Sequence, residues 1–233
     1  MSAVNAVGAV SDPSGVLTLT VDGTRPLTAG TVKDLTVLCD RAEDRDTGGT
    51  VTLRVTGAPG PGWTDTLDVA LVTKWERVLR RLERLPAGTV ALATGDCGGV
   101  ALDVFLVADI RIATPDTRLL VPFDGESTWP GMATFRLVRL AGAARVRRSV
   151  LFGHPLTASE ALELGIADEV AEGPDAAAAA TEQLIEELSG KELAIRRQLL
   201  FDAQHTSFEE ALGPHLAACD RALRRSAAAE EAA

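Results

Sequence analysis

The chain has 233 residues and a formal net charge of −10, from 23 Lys and Arg against 33 Asp and Glu. Its 46% hydrophobic and 24% charged residues are typical of a globular protein with a large aliphatic core and exclude global disorder. The acidic balance argues against a nucleic-acid surface, which needs clustered cations. Because no segment approaches the roughly 20 uninterrupted apolar residues of a membrane helix, and residues 1–15 lack a secretory signal, we expect a cytoplasmic protein without a membrane partner.

The hydropathy pattern predicts an alternation of strands and helices. In chain order the predicted elements are a strand at 16–21, a helix at 31–45 with Thr28 as its N-cap, a strand at 50–55, a helix at 68–85, a strand at 89–94, a helix at 100–108 and a strand at 109–113. This alternation indicates an α/β fold with a parallel sheet. Helical patterns follow at 132–140, 144–152, 159–164, 176–188 and 191–225.

We therefore divide the chain into four parts. They are a flexible N-terminus at 1–15, an α/β core at 16–170, a C-terminal helical segment at 171–225 and a disordered tail at 226–233. The three cysteines, Cys39, Cys97 and Cys219, are widely separated and form no CxxC pair. We expect neither a disulfide framework nor a metal site.

The segment Gly95–Asp103 (GDCGGVALD) is the strongest candidate for chemistry. A glycine turn that feeds a helix leaves unpaired N–H groups at the helix N-terminus, where the dipole favours an anion or a developing oxyanion. It is neither a GxGxxG fingerprint nor a Walker loop. By itself, the turn is equally compatible with a purely structural link between a strand and a helix.

Several motifs in matching order resemble those of the crotonase (enoyl-CoA hydratase/isomerase) superfamily. They are Val55–Ala58, the segment 91–103, VADIRIA at 107–113, Trp129-Pro130-Gly131, and LFGHPLTASEALELGIADEV at 151–170. The resemblance covers roughly residues 16–200 and implies a spiral of ββα units followed by a C-terminal helical trimerisation segment. Peptidases of the ClpP type share the broad fold, but this chain lacks their serine and histidine motifs.

The resemblance implies roles for three catalytic positions. The Val100 N–H matches one oxyanion donor, and Asp65 is the best match to the other, in the loop at 63–67. Asp103 replaces the first glutamate of the family, whereas Phe123 stands where the second glutamate belongs. Because hydration of an enoyl thioester is expected to need two carboxylates, the hydratase apparatus is incomplete, and Asp124 or Glu126 is a candidate substitute.

The same resemblance implies a substrate-binding set around the thioester. It consists of Arg25, Trp63, Thr66, Gly99, Phe123, Asp124, Trp129 and Gly131. No tightly bound cofactor and no metal are expected. Coenzyme A enters as part of the substrate thioester.

A closer resemblance narrows the expected function. KWERVLRRLERLP at 74–86, GDCGG at 95–99 and WPGM at 129–132 resemble the accessory crotonase-like proteins of 3,5-dihydroxyphenylglycine biosynthesis in producers of glycopeptide antibiotics. This implies help in forming 3,5-dihydroxyphenylacetyl-CoA, by dehydration and aromatisation of a CoA-bound polyketide. The alternative is a non-catalytic subunit that stimulates a type III polyketide synthase or another crotonase by binding it. The family also implies a homotrimer or hexamer.

Overall fold

The computed structural model describes Ala6 and residues 17–45, 49–186 and 190–231. Within these residues the strands are β1 (Leu17–Asp22), β2 (Thr50–Gly57), β3 (Gly88–Gly98), β4 (Ile110–Ala113), β5 (Arg118–Leu120), β6 (Leu156–Thr157) and β7 (Glu169–Val170). The helices are α1 (Ala29–Glu43), α2 (Val69–Leu82), α3 (Val100–Val107), α4 (Met132–Ala141), α5 (Ala143–Phe152), α6 (Ala158–Glu163), α7 (Pro174–Glu186), α8 (Lys191–Asp202) and α9 (Phe208–Glu231).

The sheet has the strand order β1-β2-β3-β4-β7, and every neighbouring pair along this path is parallel. A helix follows each of β1, β2 and β3, as a parallel crossover requires. The predicted α/β fold with a parallel sheet is therefore confirmed. Thr28 is the N-cap of α1, as predicted, and its hydroxyl forms a capping box with Thr31, which satisfies N–H groups of the first turn.

The structure differs from the predicted elements in two places. β3 continues through the glycine turn to Gly98, because Asp96–Gly98 pair with β5. The helix predicted at 191–225 is instead two helices, α8 and α9, separated by residues 203–207. The short strands β5, β6 and β7 have two or three residues each, too few for a periodic pattern to reveal.

The sheet is covered on both faces. One face packs against α1, α2 and α3 in the main core, where Leu19, Leu53, Leu79 and Phe105 are fully buried. The other face carries a smaller cluster of Val90, Leu92, Ile112, Ala178 and Ile185, to which α7 contributes the last two. This arrangement explains why the central strand β3 is apolar on both sides along Val90–Ala93.

The carboxyl ends of β1, β2 and β3 converge at one edge of the sheet. A Cβ added at Gly23, just after β1, would lie 2.2 Å from the carbonyl oxygen of Gly57 and 2.6 Å from that of Gly98. Only glycine allows three backbones to approach this closely. This edge is also where ligands bind in open α/β sheets.

The four-part division of the chain stays a prediction. Apart from Ala6, which is buried and accepts a hydrogen bond from the Asp22 N–H, the predicted flexible N-terminus lies outside the described residues. In the predicted tail, residues 226–231 continue α9, and 232–233 lie outside the described residues. Of the helices that the structure describes, none is long and apolar enough to span a membrane.

Candidate active site

The N-terminus of α3 stands at the converging strand ends. Gly99 precedes it with φ 55° and ψ −129°, a left-handed conformation that side chains other than glycine avoid. The first helical bond runs from the Asp103 N–H to the Gly99 carbonyl at 3.0 Å, so the preceding N–H groups, beginning with that of Val100, have no acceptor within the helix. Among the described residues no side chain caps this end. The turn thus offers donors to an anion, as the sequence predicts.

Asp103 is the only charged residue of α3, whose other seven residues are buried. Its Oδ2 accepts a hydrogen bond of 2.9 Å from the Trp75 indole N–H on α2. Burial and the nearby charge of Glu76 raise the pKa of Asp103 to about 6, although the Trp75 bond and Arg136 oppose the rise. A carboxyl with this pKa can both release and accept a proton near neutrality.

Two aromatic side chains line the same cavity as Asp103. Trp63, from the loop between β2 and α2, contacts Trp129 edge to face, with ring centroids 5.3 Å apart. The Trp63 indole N–H also donates to the Phe123 carbonyl at 2.6 Å. These contacts hold the two loops together, as edge-to-face aromatic pairs often do.

Two adjoining cavities surround these groups. The inner cavity has a volume of about 30 Å³ and is lined by Leu27, Trp63, Leu67, Val72, Trp75, Glu76, Gly99, Val100, Leu102, Asp103, Val121, Pro122, Trp129, Gly131 and Ala133. The outer cavity, of about 590 Å³, runs along α2 and is lined by Leu67, Asp68, Val69, Val72, Thr73, Glu76, Arg77, Arg80, Trp129 and Met132. Leu67, Val72, Glu76 and Trp129 form the boundary between them.

The inner cavity brings together six of the residues singled out from the sequence. They are Trp63, Gly99, Val100, Asp103, Trp129 and Gly131. Gly131 is required there because a Cβ at this position would lie 2.7 Å from the Trp129 ring. The volume suffices for about one or two water molecules, or for one carbonyl group, beside Asp103.

The structure does not bring Asp65 to this cavity. Its N–H donates to the Gly62 carbonyl at 3.1 Å within a turn, and its side chain is exposed. In this conformation the Asp65 N–H is therefore occupied and is not presented as an oxyanion donor. Thr66 is also exposed and lies outside the cavity lining.

Three other predicted binding residues point elsewhere. Arg25 is exposed and pairs with Asp22 at 3.4 Å. Phe123 is 48% exposed and its ring packs over Gly153, where a Cβ would lie 2.1 Å from the ring. Asp124 accepts hydrogen bonds of 3.1 Å from the N–H groups of Ser127 and Glu126.

Asp124, one of the two candidates for the second acid, uses its carboxylate within its own turn. Its backbone bonds to Ser127 and Glu126 lower its pKa, so it is a poor proton donor and acts to close its own turn. Glu126 is exposed in that same turn and does not line the inner cavity. In this conformation neither residue lines the inner cavity with Asp103.

A second carboxylate does line the cavity, and it comes from α2. Glu76 borders both cavities and accepts a hydrogen bond of 2.8 Å from the buried Arg136 guanidinium of α4. Glu76 was not among the residues singled out from the sequence. Two sequence signals could have revealed Glu76. It follows Trp75, a buried residue of the apolar stripe of α2, and Arg136 lies among the buried residues Ala133 and Leu137 of α4, where a cation needs a carboxylate partner.

The described residues contain no group of three His, Cys, Asp or Glu side chains that could hold a metal ion. Cys97 lies in β3 near Asp103, but burial and the charge of Asp103 raise the pKa of its thiol far above the ordinary value. Such a thiol remains protonated and is a weak nucleophile.

Comparison with known proteins gives the class to which this fold and site belong. A family model described as enoyl-CoA hydratase/isomerase matches residues 66–231, well over half of the chain. The chain belongs to the enoyl-CoA hydratase/isomerase family, within the crotonase superfamily, and this family implies an acyl-CoA thioester as substrate. The superfamily resemblance of the sequence motifs is confirmed.

The similar proteins include a close relative and several solved structures. A protein of Amycolatopsis orientalis described as an enoyl-CoA hydratase is 53% identical over 214 residues, which cover 92% of this chain and 99% of the relative. An enoyl-CoA hydratase structure from Mycobacterium smegmatis matches with a TM-score of 0.80 at 18% identity, covering 94% of this chain and 91% of that one. One from Shewanella pealeana matches with a TM-score of 0.81 at 18% identity, covering 94% and 88%. At these identities the structural matches establish the fold.

Proposed function

We propose that this crotonase assists the formation of 3,5-dihydroxyphenylacetyl-CoA by dehydrating a CoA-bound polyketide, which then aromatises. The observation that carries the proposal is a single cavity lined by both the N-terminus of α3 and the Asp103 carboxyl. A thioester carbonyl bound at the N-terminus of α3 would have the Asp103 carboxyl beside it as an acid/base group. This combination suits proton transfer next to a thioester.

The steps follow from the charges that develop. The Val100 N–H, aided by the helix dipole, stabilises negative charge on the thioester oxygen and so makes the α-proton more acidic. Asp103, with a pKa of about 6, supplies the proton with which the β-hydroxyl leaves as water. Aromatisation makes the later steps favourable, so the chemistry asks little more of the protein.

The outer cavity is the proposed place of the acyl group. Its walls are largely apolar, with Leu67, Val72, Trp129 and Met132 among them, as expected for a ligand pocket. The inner cavity, at about 30 Å³, admits the carbonyl or the departing water but no ring. The substrate would then lie along α2 with its carbonyl directed at Val100.

Calorimetry of thioester binding tests the proposal. The probe is 3,5-dihydroxyphenylacetyl-CoA, with free CoA as the reference ligand. We expect saturable binding that favours the thioester, and a loss of product from the reconstituted pathway when Asp103→Asn replaces the native chain. Unchanged product formation with Asp103→Asn would refute the catalytic assignment.

A second candidate function is a non-catalytic subunit that stimulates a type III polyketide synthase or a partner crotonase. Two observations favour it: Phe123 stands at the position of the second family glutamate, and α9 exposes an apolar row of Phe208, Leu212, Leu216 and Leu223. A binding subunit would tolerate Asp103→Asn but would lose its effect with Leu216→Glu. The proposed enzyme would instead lose its activity with Asp103→Asn.

The same row on α9 is the proposed contact in a homotrimer or hexamer. Sedimentation of the native chain and of Leu216→Glu measures this directly. We expect the native chain to sediment as an oligomer and the variant to dissociate. A monomeric native chain would refute self-assembly and leave a different protein as the partner.

A further inference from the structure

The site contains two carboxylates, and they reach it from different helices. Asp103 lies in the first turn of α3, and Glu76 lies in the middle of α2. Both line the inner cavity, but only Glu76 also lines the outer cavity. A group placed at this boundary would face both the acyl group and Asp103.

The hydrogen bonds around the two carboxylates differ in a way that assigns them different tasks. Asp103 receives its bond from the neutral indole of Trp75. Glu76 receives its bond from the charged guanidinium of Arg136 at 2.8 Å, which makes it a charge-assisted and therefore strong hydrogen bond. This bond fixes the position of the Glu76 carboxylate at the cavity wall, and Asp103, whose pKa is raised to about 6, is the group suited to supply a proton.

The charged groups around the two carboxylates come from three helices. They are Glu76, Arg77 and Arg80 from α2, Glu83 just after it, Asp103 from α3 and Arg136 from α4, with the buried Cys97 thiol of β3 nearby. Arg136 also contacts Glu83 at 3.4 Å, and Arg80 pairs with Glu83 at 2.6 Å. Among the described residues, the side-chain hydrogen bond to Asp103 comes from the Trp75 indole and not from a guanidinium.

Arg136 fits the part of a positioning residue. Its side chain is only 9% exposed, and among the described residues its Nη1 has no hydrogen-bond partner. An arginine in this setting is retained at a cost, which its hold on the Glu76 carboxylate explains. It does not line either cavity, so it acts through Glu76 and not on substrate.

We infer that Glu76 is the second catalytic carboxylate, the base that removes the α-proton, while Asp103 is the acid that protonates the leaving hydroxyl. This inference rests on the proposed function. The Cα–H electrons form the enolate held at Val100, the enolate expels the β-hydroxyl with the Asp103 proton, and water leaves. Glu76 then carries one proton and Asp103 none, and passage of that proton from Glu76 to Asp103 restores the pair.

Exchange of the α-protons of 3,5-dihydroxyphenylacetyl-CoA in D₂O, followed by NMR, isolates the step assigned to Glu76. This exchange needs an enolate and a base, but no leaving hydroxyl. We expect Glu76→Gln to lower the exchange rate by about 100-fold or more, with little change in thioester affinity by calorimetry. Glu76→Asp should restore part of the exchange rate because it keeps the carboxylate.

Glu83→Gln is the matched control, because Glu83 also contacts Arg136 but lies outside both cavities. It should retain most of the exchange rate. A general weakening of the Arg136 cluster would instead lower the exchange rate equally in both glutamine variants, and this result would overturn the inference. Full exchange in a folded Glu76→Gln would overturn it as well.

The pH profile supplies a readout that loss of folding does not imitate. In the native chain we expect dehydration of 3-hydroxybutyryl-CoA to decline as pH rises above about 6, because Asp103 loses its proton. We expect Glu76→Gln to move this decline in turnover to lower pH, because it removes a negative charge that raises the pKa of Asp103. Glu76→Asp keeps that charge and should move the decline less. An unmoved profile in folded Glu76→Gln with residual turnover would contradict the pairing. If the native chain binds the thioester but exchanges no α-proton, the step assigned to Glu76 is refuted and the proposed function is not. If the native chain neither binds nor turns over the thioester, the proposed function itself is refuted.

Discussion

The Asp103 carboxyl links the stability of this protein to its chemistry. Its pKa is raised from an ordinary value of 3.8 to about 6, chiefly by burial. The folded chain holds this proton more tightly than the unfolded chain. The Asp103 carboxyl therefore does not reduce the free energy of unfolding below about pH 4, and the reduction grows until pH passes 6. Above that pH the charged form is held at a cost on the order of 3 kcal/mol.

We therefore expect Asp103→Asn to be more stable than the native chain at pH 7.5, by a few kcal/mol at most, and to lose catalysis. Urea unfolding at pH 4 and at pH 7.5 measures this. The difference between the two proteins should shrink at pH 4, where the native carboxyl is protonated. An Asn variant less stable than the native chain at pH 7.5 would show that Asp103 does not hold its charge at a cost.

The Trp75 indole tunes the same carboxyl. Its N–H donates to Asp103 Oδ2 at 2.9 Å and lowers the pKa that burial raises. We expect Trp75→Phe to move the pH dependence of turnover upward and to reduce the free energy of unfolding by about 1 kcal/mol or more, through the lost bond and lost volume. Comparing the pH profiles of turnover tests the first effect. Trp63→Phe is the control and should leave the profile in place, because the native Trp63 indole bonds to the Phe123 carbonyl and not to Asp103.

At the scale of single residues, the sequence predicted the part of the site that depends on local order. Gly99, Val100 and Asp103 follow one another at a strand-to-helix turn, so their proximity is local. Glu76 and Arg136 were missed because they meet only when α2 and α4 pack against α3, and no spacing along the chain connects positions that are 60 residues apart. The turn contacts of Asp124 are likewise invisible in the pattern of charges.

At the scale of secondary structure elements, the geometry of the site depends on how closely β1, β2 and β3 approach one another after their last residues. Gly23 lies between the Gly57 and Gly98 carbonyls, and Gly98 is the residue before the Gly99 turn. Any shift at Gly23 is therefore transmitted to the Val100 N–H through two residues of backbone. Backbone atoms cannot rotate away from an added methyl group as a flexible side chain can.

We expect Gly23→Ala to lower the free energy of unfolding by about 3 kcal/mol or more and to reduce α-proton exchange at the site. Gly60→Ala is its control, because an added Cβ at Gly60 meets nothing within 4 Å. Urea unfolding and the exchange assay measure the two effects. Equal stability of the two alanine variants would contradict the close approach of the three strands.

The predicted elements with strong periodicity agree with the structure, and the exceptions have physical causes. The N-caps Thr28 and Asp68 mark the observed starts of α1 and α2, because a side-chain oxygen at a helix start is a local signal. The extension of β3 depends on pairing with β5, which is a long-range contact. The break between α8 and α9 lies at 203–207 and ends at Ser207, which forms a capping box with Glu210; the S-x-x-E spacing is a local signal that the predicted single helix at 191–225 overlooked.

At the scale of the whole molecule, a buried arginine joins α8 to the core. Arg197 of α8 is 6% exposed and forms two bonds of 2.6 Å to the Asp109 carboxylate. It also donates to the Ala87 carbonyl at 3.0 Å, so it closes the corner between α2 and β3. Asp109 in turn accepts from the Thr89 N–H at 2.9 Å, which links the pair to the start of β3.

Replacing this arginine should separate the docking of α8 from the rest of the fold. Arg197→Met keeps much of the apolar stem but leaves the Asp109 carboxylate without its cation, and we expect a loss of about 3–5 kcal/mol in the free energy of unfolding. Arg196→Met is the matched control, because Arg196 is the exposed neighbour that pairs with Glu192 one turn away, and surface pairs of this kind contribute about 0–1 kcal/mol. Urea unfolding measures both losses, and amide hydrogen exchange shows whether residues 191–231 open before the sheet does.

Similar losses in the two methionine variants would mean that α8 is held by its apolar contacts and not by Arg197. If instead only Arg197→Met frees the C-terminal helices while α-proton exchange persists, the catalytic core is complete without them, and α9 is left to serve assembly with other chains.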